Sequence, residues 1–322
     1  MALFVDDLFV ATTNPSAITT LHQELTDKYG DVKIHTGKIH NYLGMQFDFS
    51  IEGEVSISMQ AYVDKLLEEW KDQLHGVPVT TPAANNLFEV RDNSPILSDQ
   101  DRDKFHTATA QLLYLATRTR PDLLLTESYL TTRVQCANKD DMHKLIRCLK
   151  YLANTKTLDL RLKPENLNSF QSYIDSAYGL HMDGKSHSGI VQTLGSALLH
   201  ARSVKQRIVT KSSAEAELVG LSDLSGDPID MKGLLDFLTD DVGPTTILQD
   251  NQATMKMIDN GRSTSSRSKH IAIRYFWLKE RTTTGEVKLK YCPTEDMVAD
   301  ILTKPLQGEL FLKLRSLILG HG

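Results

Sequence analysis

The sequence predicts an α/β protein whose C-terminal half is a mixed sheet with helices packed on it. Three strand-like runs follow residue 168 in succession: Phe170–Asp175, Ile190–His200 and Val204–Val209. Helical and strand-like segments then alternate as far as residue 304. A meander that leads into β-α units is typical of a mixed sheet covered by helices.

The first 98 residues are predicted as a smaller α+β unit that ends in a connector. Strand-like or helical patterns cover, in order, Leu3–Val5, Leu8–Val10, Pro15–Tyr29, 42–49 and 55–59. Residues 77–98 carry three prolines and few periodic apolar positions. We therefore interpret this stretch as an extended connector.

Residues 99–154 are predicted to be mostly helical, because apolar positions recur at helical spacing. The predicted helices are one through Leu112–Ala116 that ends at Arg120-Pro121, one over Asp122–Arg133 and one over Asp140–Ala153. Lys144, Arg147 and Lys150 lie outside the apolar face of the last helix. They form either a solvated surface or a contact for a nucleic-acid backbone, and the pattern leaves both open.

The remaining elements are assigned from periodicity and helix-stop signals. Helices are predicted at Ser213–Leu224, before Asn260-Gly261, at Ile271–Arg281 and at Glu295–Lys304, and strands at Thr246–Asp250 and Glu286–Cys292. An interior proline costs a helix about 3 kcal/mol. We therefore expect the helix that begins at Ser213 to be broken at Gly226-Asp227-Pro228, and a second, short helix to begin at Ile229.

Composition excludes several classes of protein. The 322 residues carry a net charge of −5, with 15 acidic and 6 basic residues over 1–99 but 12 basic and 8 acidic over 100–167. The three cysteines are too few and too scattered for a disulfide framework or a zinc site. No apolar run reaches the ~20 residues of a membrane span, and no signal peptide is evident. We expect an intracellular protein, cytoplasmic or nuclear and not secreted, with no membrane partner.

Asp6 and Asp7 are candidate metal ligands at the tip of the first predicted hairpin. Aspartate is disfavoured in strands, yet this pair stands between two strongly apolar runs. Carboxylates displayed at such a tip can hold a divalent cation through oxygen ligands. An ordinary hairpin turn explains the pair equally well.

Four further acids are candidates for one metal centre in the C-terminal third. Asp175 and Asp250 end predicted strands, Glu217 lies early in a helix, and Asp300 lies in the last predicted helix. Such positions can converge on one edge of a sheet, and converging carboxylates repel unless cations lie between them. That is the arrangement of a two-metal phosphodiester-cleaving site. The alternative is four unrelated surface acids.

Two neighbouring glutamates compete for the role on the helix after residue 212. Ser212 followed by Glu215 fits a capping box, which assigns Glu215 a structural role. Side chains two residues apart on a helix point about 200° apart, so both cannot face one metal pair. We therefore assign the ligand role to Glu217.

A basic segment over 261–270 precedes a predicted helix. It holds four candidate nucleic-acid contacts, Arg262, Arg267, Lys269 and His270, and no acid. Helix N-termini favour anions, so the segment can contact phosphates. A flexible solvated loop is an equally good interpretation.

Ordered motifs across the chain resemble one family. The motifs are Phe4-Val5-Asp6-Asp7-Leu8, 118–122, Ser212–Leu218, Asp250-Asn251, Lys269-His270-Ile271 and Ala299–Leu306. Together they resemble the C-terminal part of copia-type retrotransposon polyproteins. The resemblance implies a reverse transcriptase palm remnant (1–76), a connector (77–98), a helical thumb or connection region (99–167), a ribonuclease H domain (168–306) and a tail (307–322).

The resemblance also implies an activity. The metal-binding acids of the family correspond to Asp175, Glu217, Asp250 and Asp300, with Asp175 shared by two Mg²⁺ ions and Mn²⁺ as a substitute. The implied reaction is hydrolysis of the RNA strand of an RNA–DNA hybrid, which is recognised by shape, phosphates and 2′-hydroxyls.

The sequence departs from the family pattern at three places. The acidic N-terminal third, the missing palm and Pro228 favour an alternative, a catalytically silent or domesticated nucleic-acid-binding remnant, whereas the missing loop histidine affects only the expected turnover. The chain begins just before Asp6, so we expect most of the palm to be absent and no primer extension by this chain alone. The missing polymerase portion or other transposon proteins are then candidate partners. The loop 292–295 lacks the histidine of many ribonucleases H, and Pro228 suggests decay.

Overall fold

The computed structural model describes residues 1–91, 93–165, 169–239, 242–259 and 269–322, with the backbone alone over 269–272. Within these ranges, no helix is long and apolar enough to cross a membrane. The chain forms an N-terminal hairpin, a small sheet joined to a helical layer, and a larger mixed sheet.

The N-terminal part combines two small sheets. Its elements are β1 (Ala2–Phe4), β2 (Asp7–Phe9), α1 (Pro15–Tyr29), β3 (Ile39–Tyr42), β4 (Met45–Asp48) and β5 (Val55–Ser58). Strands β1 and β2 form the predicted antiparallel hairpin, but its turn is Val5-Asp6, one residue earlier than the predicted Asp6-Asp7. Strands β3 to β5 continue into β6 (Leu160–Leu162), so the chain returns to this sheet after the helical region.

The segment of the chain between β5 and β6 forms a helical layer. It consists of α2 (Gln60–Glu69), α3 (Asp99–Ala116), α4 (Leu124–Thr131) and α5 (Lys139–Asn154). Helix α5 begins at a capping box in which Asn138 and Asp141 exchange side-chain and backbone hydrogen bonds. Lys144 does not lie on an exposed basic face of α5, as the sequence suggested, but is buried. Its ammonium lies 3.1 Å from the carboxylate of Asp140.

The larger sheet has the strand order β11-β10-β7-β8-β9. Its strands are β7 (Phe170–Ala177), β8 (Lys185–Leu194), β9 (Ala197–Val209), β10 (Thr245–Gln249) and β11 (Val287–Tyr291). Neighbours in the β7–β8–β9 meander are antiparallel, whereas β10 runs parallel to both β7 and β11. Helices α6 (Ser213–Leu224), α7 (Gly226–Leu238), α8 (Gln252–Asp259) and α9 (Lys269–Thr283) complete the unit. The predicted mixed sheet is confirmed.

Two local predictions in this unit are corrected. The strand predicted over Ile190–His200 is two strands, because Gly195 turns the chain with a φ of 59°. The break before Pro228 is present, but the second helix begins at Gly226 and is longer than expected. Pro228 lies in its first turn, where a missing N–H leaves no hydrogen bond unmade. Pro228 is therefore not evidence of decay.

The end of the chain packs into the interior. The segment 307–322, predicted as a tail, forms α10 (Gly308–Ile318), with Phe311, Leu314 and Ile318 buried. These residues share one hydrophobic core with the helical layer and with Leu302 of the larger unit. The helical layer and the end of the unit built on the larger sheet are therefore held together by common packing.

Candidate metal centre

Three of the predicted acids meet at one edge of the larger sheet. Asp175 lies in β7, Glu217 in α6, and Asp250 directly after β10. One carboxylate oxygen from each lies within 4.8 Å of the other two. Because β7 and β10 are parallel neighbours, their carboxyl ends bring Asp175 and Asp250 to the same edge.

Close packing of α6 on the sheet places Glu217 in this group. The helix begins at Ser212, whose hydroxyl accepts a hydrogen bond from the Glu215 amide at 3.2 Å. Gly220 lies one turn after Glu217, and a Cβ there would lie 2.0 Å from the Ser176 hydroxyl. The absent side chain therefore allows the close approach that buries Glu217 beside Asp175.

Glu215 lies away from the acidic group and caps the helix. Its carboxylate accepts a hydrogen bond from the Lys211 amide at 2.8 Å. The structure therefore modifies the predicted capping box. The Glu215 carboxylate accepts from the amide of Lys211, and not from the amide of Ser212 as predicted. The structural role predicted for Glu215 and the inward position predicted for Glu217 agree with this geometry.

Asp300 lies beside the group of three but is paired differently. The predicted helix over Glu295–Lys304 is instead two short 3₁₀ turns, Thr294–Asp296 and Val298–Leu302, and Asp300 lies in the second. Its Oδ1 lies 2.6 Å from the Lys304 ammonium, which also lies 3.5 Å from Asp175 Oδ2. A lysine thus connects Asp300 to the first acid.

A glycine on the neighbouring strand lets this turn approach the sheet. Gly189 pairs with Asp175 across β7 and β8. A Cβ on Gly189 would lie 2.7 Å from the Cβ of Leu302 and 3.0 Å from Cγ2 of Thr303. Any side chain there would push the turn that carries Asp300 away from Asp175.

Hydrogen bonds fix the carboxylates in place. The Thr303 hydroxyl donates to Asp175 Oδ2. The Gln249 amide nitrogen donates to Glu217 Oε2 at 3.3 Å, and the Thr294 hydroxyl donates to Asp250 Oδ2 at 3.0 Å. Each acid of the group therefore keeps a fixed orientation that leaves other oxygens available.

Burial and mutual repulsion disfavour negative charge here. Desolvation, followed by the charges of Asp175 and Asp250, raises the pKa of Glu217 well above its ordinary value. Desolvation and Asp175 raise the pKa of Asp300 to about 6, although Lys304 opposes the shift. Buried carboxylates whose pKa values are raised by burial and by one another mark a candidate functional site, and a bound cation would relieve their repulsion.

The other predicted site residues are not part of this group. Asp6 lies in the turn of the β1–β2 hairpin and Asp7 is the first residue of β2, and both are exposed. Arg262 and Arg267 lie outside the described residues. Lys269 and His270 begin α9, and their side chains likewise fall outside what the structure describes.

Sequence reasoning assigned no role to several residues that form the site. Thr303 and Lys304 lie in the run Ala299–Leu306, which carries part of the family resemblance, and that is a signal that could have marked them. Gln249 and Gly189 have no comparable signal. Their roles depend on neighbours that are distant in the chain.

Comparisons with known proteins find relatives of this chain over nearly its whole length. No protein-family model matches the chain. It is 29% identical over 324 residues to the retrovirus-related Pol polyprotein from transposon RE1 of Arabidopsis thaliana, an alignment that covers 99% of this chain and 21% of that polyprotein. A second Pol polyprotein of that plant, from transposon RE2, is 29% identical over 97% of this chain and 21% of the polyprotein. The chain's homologues are Pol polyproteins of copia-type transposons.

The predicted family resemblance is thus confirmed, and so is the fold. A foamy viral protease-reverse transcriptase, solved in complex with RNA/DNA hybrid, superposes with a TM-score of 0.53 at 9% identity, over 91% of this chain and 35% of that one. This shows a shared fold, and the strand order of the larger sheet is that of a ribonuclease H-like fold. The chain spans about a fifth of the length of its plant Pol relatives.

Proposed function

We propose that this chain hydrolyses the RNA strand of RNA–DNA hybrids, as the ribonuclease H portion of a copia-type Pol polyprotein. The observation that carries the proposal is the group of Asp175, Glu217 and Asp250, whose oxygens converge within 4.8 Å. Asp175 and Glu217 are buried and Asp250 is half-buried. Without a cation this grouping is costly, because the buried carboxylates lose solvent and all three repel one another. Divalent cations bound among these carboxylates would offset the repulsion, and a metal-dependent nuclease therefore accounts for the arrangement.

The donor set fits divalent magnesium. Mg²⁺ prefers oxygen ligands from carboxylates and keeps several waters, and Mn²⁺ accepts the same ligands. We assign Asp175, Glu217, Asp250 and Asp300 as the ligands of two such ions. When bound, the ions supply an activated water and stabilise charge on the leaving oxygen.

Asp175 is placed to act on both sides of the site. One side holds Glu217 and Asp250, and the other holds Asp300 and Lys304. The hydroxyl of Thr303 holds the Asp175 carboxylate between the two sides. Asp175 is therefore our choice for the shared ligand, and its loss is expected to weaken the whole centre.

The proposed substrate follows from the homologues and from the fold. We propose that a hybrid is bound by its shape, phosphates and 2′-hydroxyls, without base-specific contacts. Arg262, Arg267, Lys269 and His270 remain proposed phosphate contacts. The division into a palm remnant (1–76), a connector (77–98), a helical connection region (99–167) and a ribonuclease H domain (168–306) is proposed with it.

The proposal is tested with purified protein and a labelled RNA–DNA hybrid. Cleavage is expected with Mg²⁺ or Mn²⁺, and none with EDTA. Asp175→Asn and Asp250→Asn are each expected to reduce cleavage by several orders of magnitude. The matched control is Asp236→Asn, a surface aspartate on α7 that pairs with Lys232. Unchanged cleavage in either site variant contradicts the assignment.

The same assay separates the enzyme from a silent remnant. Double-stranded DNA and double-stranded RNA serve as competing substrates, and only the hybrid is expected to be cut. A protein that binds the hybrid but leaves it intact with both metals supports the remnant instead.

A further inference from the structure

We propose that Lys304 is a built-in counter-cation, whose ammonium occupies the space between Asp300 and Asp175 and competes there with the second divalent ion. The inference deepens the proposed function and rests on it. It makes the two cation positions unequal: one is ready for metal, and the other is occupied by the protein itself.

The first step is the position of the ammonium. Lys304 Nζ lies 2.6 Å from Asp300 Oδ1 and 3.5 Å from Asp175 Oδ2. Both carboxylates are almost fully buried, with side chains 7% and 1% exposed. The ammonium is therefore in contact with the same oxygens that the proposed function assigns to one of the ions.

The second step is the difference between the two sides of Asp175. On the side of Glu217 and Asp250, carboxylate oxygens converge without an ammonium among the contacts that the described residues make. On the side of Asp300, the ammonium of Lys304 is in direct contact with a carboxylate oxygen of Asp300 and lies 3.5 Å from one of Asp175. Glu217 and Asp250 feel the charge of Lys304 without an ion pair to it. A divalent ion entering the first side therefore displaces no side chain, whereas one entering the second side must displace a lysine.

The third step is that displacement is feasible. The Lys304 side chain is 36% exposed, so a path to solvent is open. Lysine carries its charge on a flexible four-carbon stem, which allows the ammonium to move without any backbone change. The backbone stays fixed by the hydrogen bond from the Lys304 amide to the Asp300 carbonyl. The ammonium of Lys304 can therefore move while the backbone of its turn stays in place.

Metal binding by the full chain tests the inference without using cleavage. Mn²⁺ is titrated into metal-free protein and followed by calorimetry and by the electron paramagnetic resonance of free Mn²⁺. We expect the wild-type chain to bind one ion tightly and a second weakly. Lys304→Met keeps the length and removes the charge. It is expected to tighten the second site by about tenfold or more, since an opposite charge within about 4–6 Å favours an ionised carboxylate by about 1–3 pKa units and this competition is removed.

A matched control and a charge-retaining variant sharpen the test. Lys232→Met removes an ammonium that lies 2.6 Å from Asp236 with the same four-residue spacing, and it is expected to change neither Mn²⁺ site. Lys304→Arg keeps the positive charge and is expected to leave the second site weak. Adding Asp300→Asn to Lys304→Met is expected to abolish the gain at that site.

The melting temperature supplies an independent readout. Without metal, Lys304→Met is expected to melt below the wild type because Asp175 and Asp300 lose their partner, and Mn²⁺ is expected to remove that difference. Second-site affinity that is unchanged or weaker in Lys304→Met overturns the inference. If the wild-type chain shows no Mn²⁺ binding that Asp250→Asn removes, the proposed function itself fails. The two failures are therefore distinguishable.

Discussion

Gly220 of α6 and Ser176 of β7 approach so closely that a methyl group on the glycine would lie 2.0 Å from the serine hydroxyl. We expect Gly220→Ala to lower the free energy of unfolding by about 1–3 kcal/mol, the usual cost of overpacking, despite its better helix propensity. Because Glu217 lies one turn away, Mn²⁺ affinity is expected to fall as well.

The control for this substitution lies on the next helix. Gly233 of α7 has open space around its Cα, so Gly233→Ala is expected to raise stability by up to about 1 kcal/mol. Urea denaturation and Mn²⁺ titration of both variants decide the matter. Equal effects of the two substitutions would show that α6 does not need its close approach to the sheet.

The second prediction separates the two glutamates of α6. Glu215→Ala removes a carboxylate that accepts from the Lys211 amide, and is expected to cost about 1 kcal/mol while leaving hybrid cleavage largely intact. Glu217→Gln is expected to abolish cleavage and to raise the metal-free melting temperature, because it relieves repulsion with Asp175 and Asp250. Thermal melts and cleavage rates on both variants are the measurement, and the reverse pattern would transfer the ligand role to Glu215.

The third prediction concerns pH. The pKa of Glu217 is raised well above 4.5 and that of Asp300 is raised to about 6 from 3.8, in both cases mainly by burial. A group whose pKa is higher in the folded state stabilises the fold fully below its unfolded pKa, and this contribution is lost as pH rises through the folded value. Metal-free stability therefore carries a component that falls from about pH 4 through pH 6 and above.

Comparison with one variant isolates that component. Burial lowers the pKa values of His181 and His187 to about 4 and about 3, which favours the fold as pH rises, but both histidines are retained in Glu217→Gln. In the difference between variant and wild type their contribution cancels. We expect the stability advantage of Glu217→Gln to be small near pH 4 and to grow with pH. A difference that shrinks as pH rises would contradict the raised pKa of Glu217.

Local patterns predicted much of the fold and of the site. The bounds of α6 agree with the predicted Ser213–Leu224, since the Ser212 cap and the apolar face are encoded within a few residues. The strand-like run Phe170–Asp175 predicted β7 with Asp175 near its end. The choice of Glu217 followed from the capping role of Glu215 together with helical geometry, and the structure places Glu217 beside Asp175 and Asp250.

The rest depends on contacts between distant segments. Leu302 reaches the sheet because Gly189 lacks a side chain, and nothing near either residue reveals that contact. Lys304 faces Asp175 across a similar distance in the chain. The segment that forms α10 was predicted as a tail, because its apolar face is buried only by contact with the distant helical layer. Periodicity within a segment carries no information on such partners.

The last prediction is that the helical layer and the ribonuclease H-like unit unfold together. Phe88 of the connector is buried, with its ring 4.9 Å from that of His181 and 5.4 Å from that of Tyr129. The ring thus contacts the loop between β7 and β8 on one side and α4 on the other. We expect Phe88→Ala to cost about 3–5 kcal/mol and to destabilise both parts equally.

The two tryptophans of the chain report the two parts separately. Trp70 is buried in the core of the helical layer, and Trp277 of α9 is partly buried against the core of the larger unit. Fluorescence of Trp70→Phe therefore follows the ribonuclease H-like unit, and that of Trp277→Phe follows the helical layer. In both backgrounds we expect one coincident denaturation midpoint that Phe88→Ala lowers by the same amount, whereas Phe237→Ala, at a side chain 85% exposed on α7, leaves it unchanged. Two separate midpoints, or a shift confined to one reporter, would mean that the shared core does not couple the two parts.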